Sequence, residues 1–227
     1  MNLKETIAAV GAGRMGRGIA VAFAYSGHEV RLIDAKPRPA SDFKALKSAA
    51  LSDIKSTLSL LAGFGLLDHV EVETVASRVS CFPLEDMETS LASVDVIFEG
   101  VPETVEAKRA TFEIVSRYAN TDAIVASTTS TILSNDLQGF VANPGRFLNA
   151  HWLNPAYLVP LVELSPGDQT DPHTPAKTRC LAPCRRCPRL CDGGIVGTDC
   201  TGLWRARHHQ PHAFQLHHGA GANHCGF

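Results

Sequence analysis

Short apolar runs alternate with longer amphipathic stretches over the first three quarters of the chain. Thr6 to Val10 reads as a buried strand, and Arg14 to Tyr25 as a helix with Met15, Ile19, Ala22 and Phe23 on one face. Ser26-Gly27-His28 ends that helix, with Gly27 as its C′ residue. Glu29 to Asp34 reads as a second strand. Ser41 is placed to cap a long helix running to about Leu61, which Gly63 and Gly65 break. Further strands are expected at Val79 to Phe82, Val94 to Phe98, Ala123 to Ala126, Phe147 to His151 and Leu161 to Leu164, and a helix at Glu103 to Tyr118. Strands alternating with helices predict an α/β fold, a parallel sheet covered on both faces. No internal repeat of fixed period is present.

The first turn of this pattern carries the first candidate chemistry. Gly11-Ala12-Gly13-Arg14-Met15-Gly16 lies between the first strand and the first helix, a Gly-x-Gly-x-x-Gly loop in the place where a dinucleotide fold puts it. One glycine makes the tight turn, one lets the backbone approach a pyrophosphate, and one lets helix and strand pack closely. The N–H groups and dipole at the helix N-terminus favour the phosphates. Asp34, 23 residues after Gly11, closes the second strand, where an acid binds a ribose diol and repels a 2′-phosphate. Lys36 and Arg38 stand close enough to soften that selectivity. Asp34 as a plain turn cap is the bland alternative.

Polar residues collect after the later strands, where open α/β sheets bind ligands. Glu99-Gly-Val-Pro-Glu103 and Lys108 follow the fourth strand, Ser127-Thr-Thr-Ser130 the fifth, and His151-Trp-Leu-Asn154-Pro155 the sixth; Glu163 stands 12 residues beyond His151. A histidine braced by a carboxylate is what removing a proton from an alcohol needs, and Ser130 is placed to hydrogen-bond the reacting oxygen. The competing reading makes His151 a core histidine, and Glu103 and Lys108 surface charges at a helix start.

These motifs together resemble the NAD-binding domain of the 3-hydroxyacyl-CoA dehydrogenase family, from about Thr6 to about Gly167. The resemblance implies a Rossmann-type, doubly wound sheet, NAD as cofactor, and oxidation of the C3 hydroxyl of a 3-hydroxyacyl-CoA. It assigns His151 as general base, Glu163 as its partner, and Ser130 to substrate and cofactor. Glu103, Lys108 and Asn154 would line the nicotinamide half of the site, with Gly11, Ala12, Gly13, Arg14, Met15, Gly16 and Asp34 on the adenosine diphosphate half. Trp152 and Tyr157 differ from residues common in acyl-CoA enzymes, so a free hydroxy acid such as gulonate is the second substrate class. The acyl-CoA contacts of the family's helical arm have no firm match; Lys47 and Lys55 are candidates. Family members are homodimers through a further helical domain that is not recognisable in this sequence. A chain that binds NAD without turnover is therefore a third reading.

Charge and composition limit the partners. A net charge of −2 points to neither nucleic acid nor a membrane surface, and the apolar stretch Ile19 to Tyr25 is too short to span a bilayer. The polar start with Lys4 and Glu5 does not read as a signal peptide, and Cys81 is the lone cysteine before residue 173. A cytoplasmic protein with a small-molecule substrate is expected.

The last stretch is of another kind. A boundary is expected near Ser165 to Pro172, separating an NAD-binding domain, 1–167, from an atypical, irregular tail, 168–227. Residues 173–227 hold six of the seven cysteines, seven of the ten histidines and no Glu. Leu, Ile, Val and Phe fill only eight of these 55 positions, too few for a core. Cys180, Cys184, Cys187 and Cys191 are spaced C-x3-C-x2-C-x3-C, close enough for four thiolates to bind zinc or an iron–sulfur cluster, but the surrounding sequence resembles no known metal module. A reading-frame shift near residue 172 explains the composition more fully, and no metal is assigned.

Overall fold

The computed structural model describes residues 4–159 and 161–181 and the backbone of 204–206. In chain order the elements are β1 (Ile7–Val10), α1 (Arg14–Tyr25), β2 (Val30–Ile33), α2 (Ala40–Gly63), α3 (Val72–Ala76), β3 (Val79–Phe82), α4 (Met87–Leu91), β4 (Val96–Glu99), α5 (Val105–Tyr118), β5 (Ile124–Ser127), α6 (Ser134–Leu137), β6 (Phe147–Trp152), β7 (Val162–Pro166), α7 (His173–Cys180) and β8 (Trp204–Ala206). The strands form one sheet of order β3-β2-β1-β4-β5-β6-β7-β8. Neighbours from β3 through β6 are parallel, so the expected doubly wound, Rossmann-type architecture is present. The exception is β7, which runs antiparallel to β6.

Both faces of the sheet are buried, which explains why its strands read as apolar runs rather than alternating ones. Ile7 and Ala9 of β1 face one core together with α1 and α2; Ala8 and Val10 face a second core with Met87 and Leu91 of α4 and Val115 of α5. The first core is centred on Phe23, Phe98 and Trp152, whose ring centroids lie 5.2–5.8 Å apart. Trp152 is 2% exposed. It therefore packs the core and is no substrate contact, which removes one of the two residues taken to point away from an acyl-CoA substrate.

The helix ends differ in detail from expectation. The cap of α2 is Pro39 rather than Ser41, because proline's fixed φ suits a helix start and its missing N–H is not needed there. α5 starts after Thr104, whose hydroxyl accepts the Ala107 N–H. The first part of the expected tail is ordered by polar anchors. In α7 the Thr174 hydroxyl donates to the Gly145 carbonyl and the Thr178 hydroxyl to the Thr174 carbonyl; both threonines are fully buried, and Leu181 joins the first core. Of the cysteine motif, Cys180 is exposed, while Cys184, Cys187 and Cys191 lie outside the described residues. No described helix is long and apolar enough to cross a membrane.

Candidate active site

The strand order reverses between β1 and β4, and in such sheets ligands occupy the crevice outside the carboxyl edge at this switch point. The Gly11 N–H donates to the Ile33 carbonyl and ties the loop to β2, while the Gly100 N–H donates to the Val10 carbonyl and holds the loops after β1 and β4 side by side. Gly11 has φ +112°, and a Cβ there would lie 2.7 Å from the Gly100 oxygen. A Cβ on Gly16 would stand 2.0 Å from the Gly11 oxygen. Both positions thus require glycine, the first for the turn and the second for the approach of α1. Gly13 differs: a Cβ there meets nothing within 4 Å, and its φ of −80° suits any residue. What glycine preserves at Gly13 is open space over the N-terminus of α1.

That helix end carries no acidic cap or first-turn acid of its own. Gly13 makes no side-chain cap, and the first turn of α1 holds no acid but does hold the exposed Arg14. A cation in the first turn opposes the helix dipole, and a bound anion would compensate both. Ala12 and Gly16 are buried, and Met15 is half-buried against the first core. Arg17 donates to the Ala12 carbonyl at 3.0 Å and steadies the loop from below. Asp34 leaves β2 beside this loop, because β2 pairs with β1 in register Val10 to Ile33. Open backbone, an uncompensated helix N-terminus and an adjacent buried acid fit the diphosphate and ribose of an adenine dinucleotide.

The loops after β4 and β5 are organised by carboxylates. Glu99 at the end of β4 and Lys108 on α5 are both fully buried, with Lys108 Nζ 3.0 Å from each Glu99 oxygen. The Ser127 hydroxyl and the Val101 N–H also donate to Glu99, at 2.6 and 2.8 Å. Lys108 Nζ reaches Glu103 as well, at 3.3 Å. Lys108 is therefore neither a surface charge nor open to the crevice; its ammonium acts on the site through Glu103. Glu103 Oε1 in turn accepts from the backbone N–H groups of Ser130 and Thr131, at 2.8 and 3.1 Å, and from the Thr129 and Thr131 hydroxyls. Burial alone would raise the Glu103 pKa, but these hydrogen bonds and the Lys108 charge outweigh it and lower it to about 2. The result is a fixed negative charge that shapes the loop carrying Ser130.

His151 and Glu163 are directly opposed in the β6–β7 ladder, so both side chains leave the same face. His151 Nδ1 lies 3.1 Å from Glu163 Oε2, and the two side chains are 30% and 18% exposed. Ser130 follows β5, the neighbour of β6, on the same edge, and the Asn149 amide ties β6 to that loop by donating to the Ile132 carbonyl. Asn154 is exposed in the loop after β6. Sequence reasoning did not assign Glu99 a role; its place at a strand's carboxyl end, nine residues before Lys108, was the available signal. A cavity of about 160 Å³ opens between α1, α2 and Tyr157, lined by Arg14, Arg17, Asp53 and Thr57; it is separate from the His151–Glu163 pair and smaller than most ligand pockets.

The chain matches the family described as 3-hydroxyacyl-CoA dehydrogenase, NAD binding domain, over residues 6–184. It belongs to that family. The match passes beyond the boundary expected near residue 167 and includes α7. Among relatives, a lambda-crystallin homolog of Bos taurus is 33% identical over 77% of this chain and 52% of its own length. A probable 3-hydroxybutyryl-CoA dehydrogenase of Bacillus subtilis is 31% identical over 80% of this chain and 60% of its own length. Among solved structures, the (S)-3-hydroxybutyryl-CoA dehydrogenase of Ralstonia eutropha superposes with a TM-score of 0.70 at 28% identity, covering 78% of this chain and 59% of that one. The chain thus spans between half and two thirds of the length of these relatives. NAD is the cofactor of this domain family, and its residues here fit that group.

Proposed function

We propose that the chain binds NAD and removes the hydroxyl proton in the oxidation of the C3 hydroxyl of a 3-hydroxyacyl-CoA. The His151–Glu163 pair at the carboxyl edge carries this reading. With its Nδ1–H donated to Glu163, the imidazole keeps Nε2 as the acceptor for a hydroxyl proton, and the carboxylate stabilises the imidazolium that forms. Ser130, on the loop that Glu103 holds, offers a hydroxyl to the reacting oxygen. Glu103 and Asn154 flank the same edge as cofactor contacts. When bound, NAD supplies the hydride acceptor. Such a base contributes on the order of a hundred- to ten-thousandfold in rate.

A second reading, a free hydroxy acid, has its own support. Relatives named L-carnitine dehydrogenase are 29% identical in Staphylococcus epidermidis and 31% in Oceanobacillus iheyensis. NADH formation measured with 3-hydroxybutyryl-CoA, L-carnitine and gulonate separates the two. Turnover with the thioester alone, lost in His151→Gln with NADH binding retained, is the expected result. Turnover on a free acid alone would move the substrate assignment. Cofactor binding with no turnover on any of the three would overturn the activity and leave a nucleotide-binding module.

A further inference from the structure

Asp34 does not stand alone at the adenosine end of the crevice. Its side chain is 5% exposed, and Arg38 Nε donates to Oδ2 at 2.5 Å, while the Lys36 N–H donates to Oδ1 at 3.3 Å. Arg38 lies between Pro37 and Pro39, which fix their own φ angles and confine Arg38 to extended backbone. That restriction lowers the backbone entropy lost when its guanidinium seats on the carboxylate. The bond uses Nε. Among the described residues the two Nη groups make no hydrogen bond, and the side chain is 33% exposed. Lys36 beside it is exposed.

We propose that Arg38 is a specificity-determining residue: held on Asp34, it cancels the acid's repulsion of a 2′-phosphate and offers its Nη donors to that group, so that NADPH binds alongside NADH. The inference rests on the cofactor reading above. A bare acid at this place accepts the ribose hydroxyls and excludes a 2′-phosphate; an arginine nearby admits one. Here the two are coupled, and a guanidinium already oriented by a carboxylate can bind phosphate oxygens through two parallel donors.

The test is titration of the full chain with NADH and with NADPH, read by nucleotide fluorescence. Wild type should bind the two within about tenfold of each other, and Arg38→Ala should weaken NADPH by about ten- to a hundredfold, as expected for one or two charge-assisted hydrogen bonds. NADH affinity should hold or rise, since its ribose no longer competes with Arg38. Arg38→Lys keeps charge and stem, should retain part of the NADPH affinity, and serves if the alanine variant fails to fold. An equal loss for both nucleotides, or a wild type that discriminates against NADPH more than about a hundredfold as a bare acid would, overturns the proposal. Failure of wild type to bind either nucleotide would instead refute the cofactor site itself.

Discussion

Replacing Lys108 by Met should be among the most damaging single changes available in this domain, and the geometry says by how much. Nζ lies 3.0 Å from both oxygens of Glu99, and both side chains are fully buried. At an effective dielectric of about 20, one such charge pair attracts by about 5–6 kcal/mol. Desolvation of the two ions offsets much of that, so the intact pair adds little net stability. Removing only the ammonium, however, leaves a carboxylate buried with the Ser127 hydroxyl and the Val101 N–H as its remaining donors. Breaking one side of a buried pair costs about 3–5 kcal/mol, a large share of the 5–15 kcal/mol that holds a typical domain together. Glu99→Gln should cost a similar amount by stranding the ammonium, relieved in part by Glu103 at 3.3 Å. The double variant Glu99→Gln with Lys108→Met buries no ion at this position and should recover about 2–4 kcal/mol relative to the sum of the singles. Urea unfolding of the four proteins followed by circular dichroism gives the cycle. Singles that each cost under about 1 kcal/mol and add in the double would refute the claim that this is a desolvated, mutually dependent pair.

The other predictions use different links of the same chain. Gly16→Ala forces a Cβ to 2.0 Å from the Gly11 oxygen, so melting temperature and NADH affinity should fall together; a stable, binding-competent variant would show that the loop gives way freely. Gly13→Ala meets no atom within 4 Å and should cost no more than about 1 kcal/mol as a poorer cap, yet weaken NADH binding in calorimetry; unchanged affinity would place the diphosphate elsewhere. Glu103 has its pKa lowered from 4.5 to about 2, so its stabilisation is complete above pH 4.5 and vanishes as pH falls toward 2. The unfolding free energy of Glu103→Gln should lie below that of wild type near neutrality by about 1–2 kcal/mol, after allowance for solvent screening of a side chain 38% exposed, and the two should converge in acid. A constant gap across that range would contradict the assignment.

What the residues revealed in advance follows from what each depends on. The glycine loop, Asp34 and the order of strands and helices rest on local chemistry and periodicity, so they were legible before any tertiary contact was known. The reversal of β7 was not. An apolar run such as Leu161 to Leu164 buries the same surface whichever way it points, and only its partner fixes the direction. The short helices α3, α4 and α6 are too brief for a periodic signal. Burial of charge was equally hidden: Glu99 and Lys108 look like the polar rim of a sheet until α5 is packed over β4. Trp152 shows the converse, a residue read as a departure from the acyl-CoA enzymes that the first core absorbs. α7 was missed because its anchors are two threonine hydroxyls rather than an apolar face.

The antiparallel turn of β7 matters beyond topology, since it links the two halves of the site. A parallel neighbour would need a crossover of a dozen or more residues; here a loop of nine, residues 153–161, returns the chain and sets Glu163 opposite His151. That loop does not hang free. Ala156 is buried against α1, where a Cβ on Gly18 would lie 3.2 Å from the Ala156 Cβ, and Tyr157 packs on the same core. The helix whose N-terminus faces the crevice is therefore braced by the segment that joins His151 to Glu163. A bulkier residue at Gly18, such as Gly18→Val, would push the loop from α1 without touching the Gly11–Gly16 turn. The expected outcome is near-normal NADH affinity with a reduced turnover number and unchanged substrate KM, because the His151–Glu163 pair loses its fixed geometry while the nucleotide loop stays intact. Equal losses in cofactor affinity and turnover would show instead that α1 moves as one body, and that the two halves are not separable through this contact.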